Sequence, residues 1–129
     1  MAPELQLLGL AVVVGIVQLG WAAVAARRQQ TLAWAAGPRD EPMPITGTAA
    51  RLDRAFRNFM ETFPFFAAAV LSVAAGDRFS DLTLWGSGLY VAGRALYVPI
   101  YAAGIPRVRT LVWAVSMVGL LMVVAALFV

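Results

Sequence analysis

Four long apolar runs organise the chain, from about Glu4 to Ala26, Ala49 to Ala75, Leu82 to Ala103 and Leu111 to Val129, the last belonging to a helix that opens near residue 108. At about 1.5 Å of rise per residue, runs of this length match a hydrocarbon core about 30 Å thick. The pattern predicts an all-α integral membrane protein, a four-transmembrane-helix bundle forming one domain over residues 1–129. Three polar stretches separate the runs. The first, RRQQTLAWAAGPRDEPMPITG, is broken by Gly37-Pro38, Pro42 and Pro44 and is read as the one long loop. Thr46 or Thr48 is the expected cap of the second helix, and Ser80 or Asp81, in the tight turn GDRFSD, that of the third. The third connection, AGIPRVR, is broken by Gly104 and Pro106.

Polar residues interrupt two of these runs at helical spacing. In the second, Arg54, Arg57, Asn58 and Glu61 follow i, i+3, i+4, i+7, and in the third Tyr90, Arg94, Tyr97 and Tyr101 follow i, i+4, i+7, i+11. Each set falls on one helix stripe. An unpaired charge at such depth costs several kcal/mol, so the two stripes are expected to be buried against each other or against a shared ligand. A structural reading stands beside the functional one. Glu61 with Arg94 or Arg57 would form a buried ion pair that sets helix register, and the tyrosines would be interfacial belt residues. Arg54, Arg57 and Arg94 nevertheless outnumber Glu61, with Asp53 one position off the stripe. A surplus of guanidinium asks for an anion, and its planar fork suits carboxylate or phosphate.

Composition narrows the chemistry. With 129 residues, 61% hydrophobic content and a mean hydropathy of +0.78, the chain is too apolar for a soluble domain of its size. It has no cysteine and no histidine, which removes disulfides, thiolate metal sites and the commonest general base. All ten basic residues are arginines, and the net charge is +3. They lie at helix ends and within apolar runs, not in a solvated patch, so nucleic acid is not an expected partner. MAPELQLLGLAVVV lacks a basic leader region and is read as a retained first helix. Given four spans, Arg27, Arg28, Arg39, Arg51, Arg107 and Arg109 share one side and Arg78 stands alone on the other. The positive-inside rule puts the first and third loops in the cytoplasm and both termini outside. Pro64 and Pro99 are read as helix kinks or pocket-shaping breaks, Ala67 to Ala69, Gly86, Gly88 and Gly93 as close-packing positions, and the four tryptophans as interface markers.

The segments RLDRAFRNFMETFPFF and GRALYVPIYAAGIPRVRTL resemble the MAPEG family, the membrane-associated proteins in eicosanoid and glutathione metabolism. Arg54, Ala55, Asn58 and Glu61 match the family's RAxxNxxE signature, and Arg94, Tyr97 and Tyr101 match its RxxYxxxY stretch. The resemblance implies a homotrimer of four-helix protomers with glutathione bound between subunits as cosubstrate. It also implies that Arg54, Asn58, Glu61, Arg94, Tyr97 and Tyr101 hold the tripeptide, with Arg57 a further candidate, and that an arginine near the start of the last helix serves the thiol. Arg109, with Thr110 beside it as a hydrogen-bond donor, is the candidate for that role and Arg107 its rival, because the AGIPRVRT turn aligns in two registers. A minimal loop and no extra domain resemble a bacterial-type member, in an inner membrane, acting on hydrophobic small molecules as a glutathione transferase or peroxidase. Two alternatives remain at this stage. One is a non-catalytic lipid-binding or scaffold protein of the same fold; the other, a small multidrug-type transporter, is disfavoured by the arginine surplus around Glu61.

Overall fold

The computed structural model describes residues 1–129 in full and is wholly helical. Helix α1 (Pro3–Arg27) opens with proline in its first turn, where a missing N–H costs nothing, and with Glu4 favourably placed against the positive end of the helix dipole. A single turn, α2 (Leu32–Ala36), interrupts the long loop; its N-cap Thr31 accepts a hydrogen bond from the Trp34 N–H, and Gly37-Pro38 ends it. Helix α3 (Gly47–Ala75) follows Thr46, which occupies the N-cap position without a side-chain bond, so Thr48 falls inside the helix. Helix α4 (Asp81–Ala102) is capped by Ser80 through a reciprocal box with Thr83. Helix α5 (Pro106–Ala125) starts earlier than the apolar run suggests, because Pro106 sits at its first position, and Arg107 and Arg109 therefore lie within its first turns.

The ends of the helices are tied in an alternating up-and-down order. Glu4, at the start of α1, accepts a hydrogen bond from the Thr83 hydroxyl at 2.9 Å, at the start of α4. At the opposite end Arg51, near the start of α3, donates from Nε to the Ala102 carbonyl at 2.9 Å and so satisfies a free carbonyl at the end of α4. Gly104 turns the chain into α5 with φ of +76°, a conformation that a side chain would strain. Arg51, Arg107 and Arg109 therefore gather at the end of the bundle where α3 begins and α4 meets α5.

Helices α4 and α5 touch backbone to backbone. A Cβ on Gly119 would lie 2.5 Å from the Gly86 carbonyl oxygen, and one on Gly93 would lie 2.8 Å from the Ser116 Cβ, so only glycine permits this approach. The main apolar cluster joins Phe66, Val70 and Val73 of α3 to Tyr90 and Val91 of α4, Leu120 and Val123 of α5, and Ala11 of α1.

Burial in α1 is inverted relative to a soluble protein. Its three buried residues are Glu4, Ala11 and Gln18, whereas Leu10, Val13, Ile16, Val17 and Val24 are exposed. Outward-facing hydrocarbon and inward-facing polar groups are what a lipid solvent selects. Three helices, α1, α3 and α5, are long and apolar enough to cross a membrane, with mean hydropathies of 2.2, 1.3 and 2.0. The fourth long helix, α4, dilutes its apolar content with a polar spine of Thr83, Ser87, Tyr90, Arg94 and Tyr97, all turned inward and buried.

Candidate functional site

A cavity of about 440 Å³ opens where α3, α4 and the start of α5 meet. Helix α3 contributes Arg54, Arg57, Asn58 and Glu61, because their spacing repeats almost once per turn. Helix α4 contributes Tyr97 and Tyr101, and α5 contributes Arg109, Thr110 and Trp113. The volume lies within the roughly 300–1,000 Å³ typical of small-molecule pockets.

Arg94 stands behind this lining. It is 1% exposed, donates from Nη1 to Asn58 Oδ1 at 2.9 Å, and lies with its guanidinium carbon 4.4 Å from the centre of the Tyr97 ring and 5.8 Å from that of Phe59. Its Nε and Nη2 are buried and have no acceptor. The indole N–H of Trp113, a lining residue, is likewise buried and unpartnered. Every buried orphan atom around this cavity is therefore a donor, and what would satisfy them is an acceptor.

Tyr101 connects two further cations. Arg54 donates from Nε to its hydroxyl at 3.0 Å, and the Arg109 guanidinium carbon lies 4.6 Å from its ring centre. Because the phenolic oxygen accepts from Arg54, its own hydrogen is free to point into the cavity.

The one salt bridge in the chain joins Arg57 to Asp53 at 3.0 Å. Glu61 has no ion-pair partner, so the register-setting pair with Arg94 or Arg57 is not formed. With Arg57 neutralised by Asp53, the remaining charges are Arg54, Arg94 and Arg109 against Glu61, which leaves two net positive charges around the cavity.

The stripes do not bury each other as their spacing suggests. Tyr97 and Arg94 are buried, but Arg54, Arg57 and Glu61 are exposed on the open side of the cavity. Tyr90 leaves the set altogether: it stacks on Phe66 at 4.0 Å between ring centres and shares a 2.9 Å hydrogen bond with Thr62. At its level α3 presents an aromatic ring and a hydroxyl instead of charge. Arg107 is exposed and outside the lining, since a position two residues from Arg109 lies about 200° around the helix.

Trp113, expected from its place near a span end to mark an interface, also walls the cavity; its position four residues after Arg109 on one helix face is the sequence signal for that role. Thr110 also lines the cavity, while its hydroxyl donates to the Pro106 carbonyl at 3.1 Å. Asp53 stands four residues before Arg57, and that i, i+4 spacing on one helix face was the available signal that Asp53 would neutralise Arg57.

A helical bundle with outward hydrocarbon, three membrane-competent helices and an inward cationic cavity defines an integral membrane protein. Matching of the chain to family models agrees: the model of the MAPEG family aligns with residues 5–129, and the chain belongs to that family. Searches of curated proteins and of solved structures return no match.

Proposed function

We propose that this protein is a glutathione-dependent transferase or peroxidase acting on lipophilic electrophiles dissolved in the bilayer. The observation that carries the reading is the two-charge cationic surplus around a cavity whose buried orphan atoms are all donors. Glutathione brings two carboxylates and one ammonium, a net charge of −1 that becomes −2 as the thiolate, and it supplies the missing acceptors. Arg54 and Arg94 suit the carboxylates by their planar forks, and the unpaired Glu61 suits the ammonium. Tyr97 and Tyr101 flank the peptide, with Asn58 held in place by Arg94.

Arg109 is assigned to the thiol. A free thiol has a pKa near 8.5, and a cation within about 4–6 Å lowers it by roughly 1–3 units, which makes thiolate a major species at neutral pH. The thiol proton leaves through the open mouth of the cavity, so no histidine is required. The Tyr101 hydroxyl, its oxygen engaged by Arg54, is oriented to donate to the same sulfur. The thiolate then displaces a leaving group from, or adds to, the electrophilic carbon and forms a thioether.

Exposed Arg54, Arg57 and Glu61 at membrane depth cannot face lipid. A neighbouring copy closing that side is the economical solution, and the assembly proposed, in keeping with the family resemblance, is a homotrimer with α4 as the fourth span. The arginine-rich end is assigned to the cytoplasm by the positive-inside rule.

The test is a pair of arginine variants in nanodiscs. Arg109→Ala is expected to retain glutathione binding and to lose about 10²-fold in turnover of a model electrophile, as for loss of one transition-state donor. Arg107→Ala is expected to remain within about threefold of the parent. Wild-type protein that neither binds glutathione nor conjugates any of a panel of electrophiles overturns the proposal in favour of a non-catalytic lipid-binding member of the fold.

A further inference from the structure

Gln18 lies in the middle of the most apolar helix of the protein, about 22 Å from the start of α1 and about 13 Å from its end. It is 2% exposed, and neither its Nε2 nor its Oε1 has a hydrogen-bond partner. A leucine there would fill the same space without leaving a donor and an acceptor unpaired in a hydrocarbon-depth environment.

The residue lines a cleft of about 210 Å³ between α1 and α4, on a different face of α4 from the cationic cavity, with which it shares no lining residue. Val13, Val17 and Trp21 form one wall, and Ala95, Val98 and Pro99 the other. Pro99 has no N–H, so the carbonyl of Ala95, four residues back in α4, also lacks its ordinary helical donor. The cleft thus combines apolar walls with an amide that both donates and accepts, and with a carbonyl short of a donor.

From this juxtaposition we propose that the α1–α4 cleft is a binding site for a membrane-dissolved amphiphile carrying a hydroxyl group, of the long-chain alcohol class. A hydroxyl accepts from Gln18 Nε2 while donating to Oε1 or to the Ala95 carbonyl, which neither an alkyl chain nor an ester can do. Exposed Val13, Val17 and Trp21 leave one side of the cleft open, where the alkyl chain continues into the bilayer. Gly93 packs on Ser116 and Gly86 on Gly119 and Met122, so the part of α5 level with Ala95 and Pro99 runs from Thr110 to Ala114. A second copy laid on through α5 brings exposed Leu111 and the Thr110 hydroxyl to this depth; that hydroxyl already donates to the Pro106 carbonyl, so it leaves Gln18 Oε1 without a donor. A charged group from a second copy reaches Gln18 through α3, by Arg57 or Glu61, and that contact is the competing arrangement.

The experiment uses protein in nanodiscs with Trp34, Trp85 and Trp113 changed to Phe, so that Trp21, in the cleft wall, is the one reporter. Its fluorescence is quenched with a terminally brominated hexanol and with bromohexane, compared at equal membrane mole fraction. The alcohol is expected to quench saturably, with half-effect at a mole fraction about tenfold lower than the haloalkane, and Gln18→Leu is expected to abolish the difference.

Equal quenching by the two reagents in the parent, or a preference that persists in Gln18→Leu, overturns the proposal. So does efficient disulfide formation between Gln18→Cys and Glu61→Cys copies without any alcohol preference in the parent, which assigns the amide to subunit contact. If the tryptophan replacements do not fold, native mass spectrometry of the otherwise unaltered protein reads the same comparison. Retention of a long-chain alcohol over the matching alkane, lost in Gln18→Leu, supports the site, and equal retention overturns it.

Discussion

Arg94→Met separates what the buried guanidinium does for the empty protein from what it does for a ligand. In the empty protein its favourable interactions are one charge-assisted hydrogen bond to Asn58, about 1.5–3 kcal/mol, and the Tyr97 contact, up to about 2 kcal/mol. Against these stand two orphan donors at about 1–3 kcal/mol each and the several kcal/mol lost in removing the charge from water. Methionine keeps an unbranched stem and brings a sulfur near the Phe59 and Tyr97 rings that flank the guanidinium, a contact of about 0.3–1.5 kcal/mol. Asn58 is only half-buried and retains access to the open cavity. The variant is therefore expected to be as thermally stable as the parent, or more so.

With glutathione in the proposed site the expected sign reverses. At a ligand concentration of 100 times Kd the parent gains about 2.7 kcal/mol, a midpoint rise of a few degrees. Removal of one buried charge partner weakens such contacts by about 2–5 kcal/mol. If affinity falls about 100-fold, the same concentration yields about 0.4 kcal/mol, and the shift nearly vanishes. The assay is the thermal midpoint in nanodiscs with and without glutathione. A destabilisation of several degrees in the absence of ligand would show that Arg94 is a structural group and would refute the claim that its free donors await an anion.

Two further outcomes follow from particular contacts. Gly119→Ala places a methyl group 2.5 Å from the Gly86 carbonyl oxygen, forces α5 outward by about 1 Å, and is expected to cost about 1–3 kcal/mol and to weaken glutathione binding, because α5 carries Arg109 and Trp113 into the cavity. Gly88→Ala meets nothing within 4 Å and is expected to leave binding unchanged, with stability altered by no more than about +1 kcal/mol; calorimetry on the two side by side checks the contrast. Glu61→Gln is expected to weaken glutathione about 10-fold or more while leaving a glutathione analogue without its amino group unaffected. Equal losses for both ligands would remove Glu61 as the ammonium partner.

Much of this architecture was legible along the chain. The four apolar runs and their Pro/Gly breaks locate the long helices to within a few residues, since a membrane helix must satisfy its own backbone and so announces itself by length and hydropathy. The helical spacing of Arg54, Asn58 and Glu61, and of Tyr97 and Tyr101, placed each set on one stripe because 3.6 residues per turn is a local property. Which stripe is covered, and by what, is not local. Tyr90 repeats in phase with Arg94 yet belongs to the core, because the facing turn of α3 offers Phe66 and Thr62. Along the sequence Arg109 is the candidate and Arg107 its rival, and it is the start of α5 at Pro106 that directs only Arg109 toward Tyr101.

Helix α1 marks the boundary most plainly. Its near-uniform hydrophobicity determined that it would span a bilayer and said nothing about which face turns inward, because a helix apolar all round has no amphipathic phase. Only packing against α3 and α4 decided that Glu4 and Gln18 are buried while Val13 and Ile16 face out. The amino-acid sequence by itself thus set the membrane class, the helices and the surplus of arginine. The tertiary structure decided which charges are paired, which donors are left free and where the polar groups of α1 point, since those depend on neighbours distant in the chain.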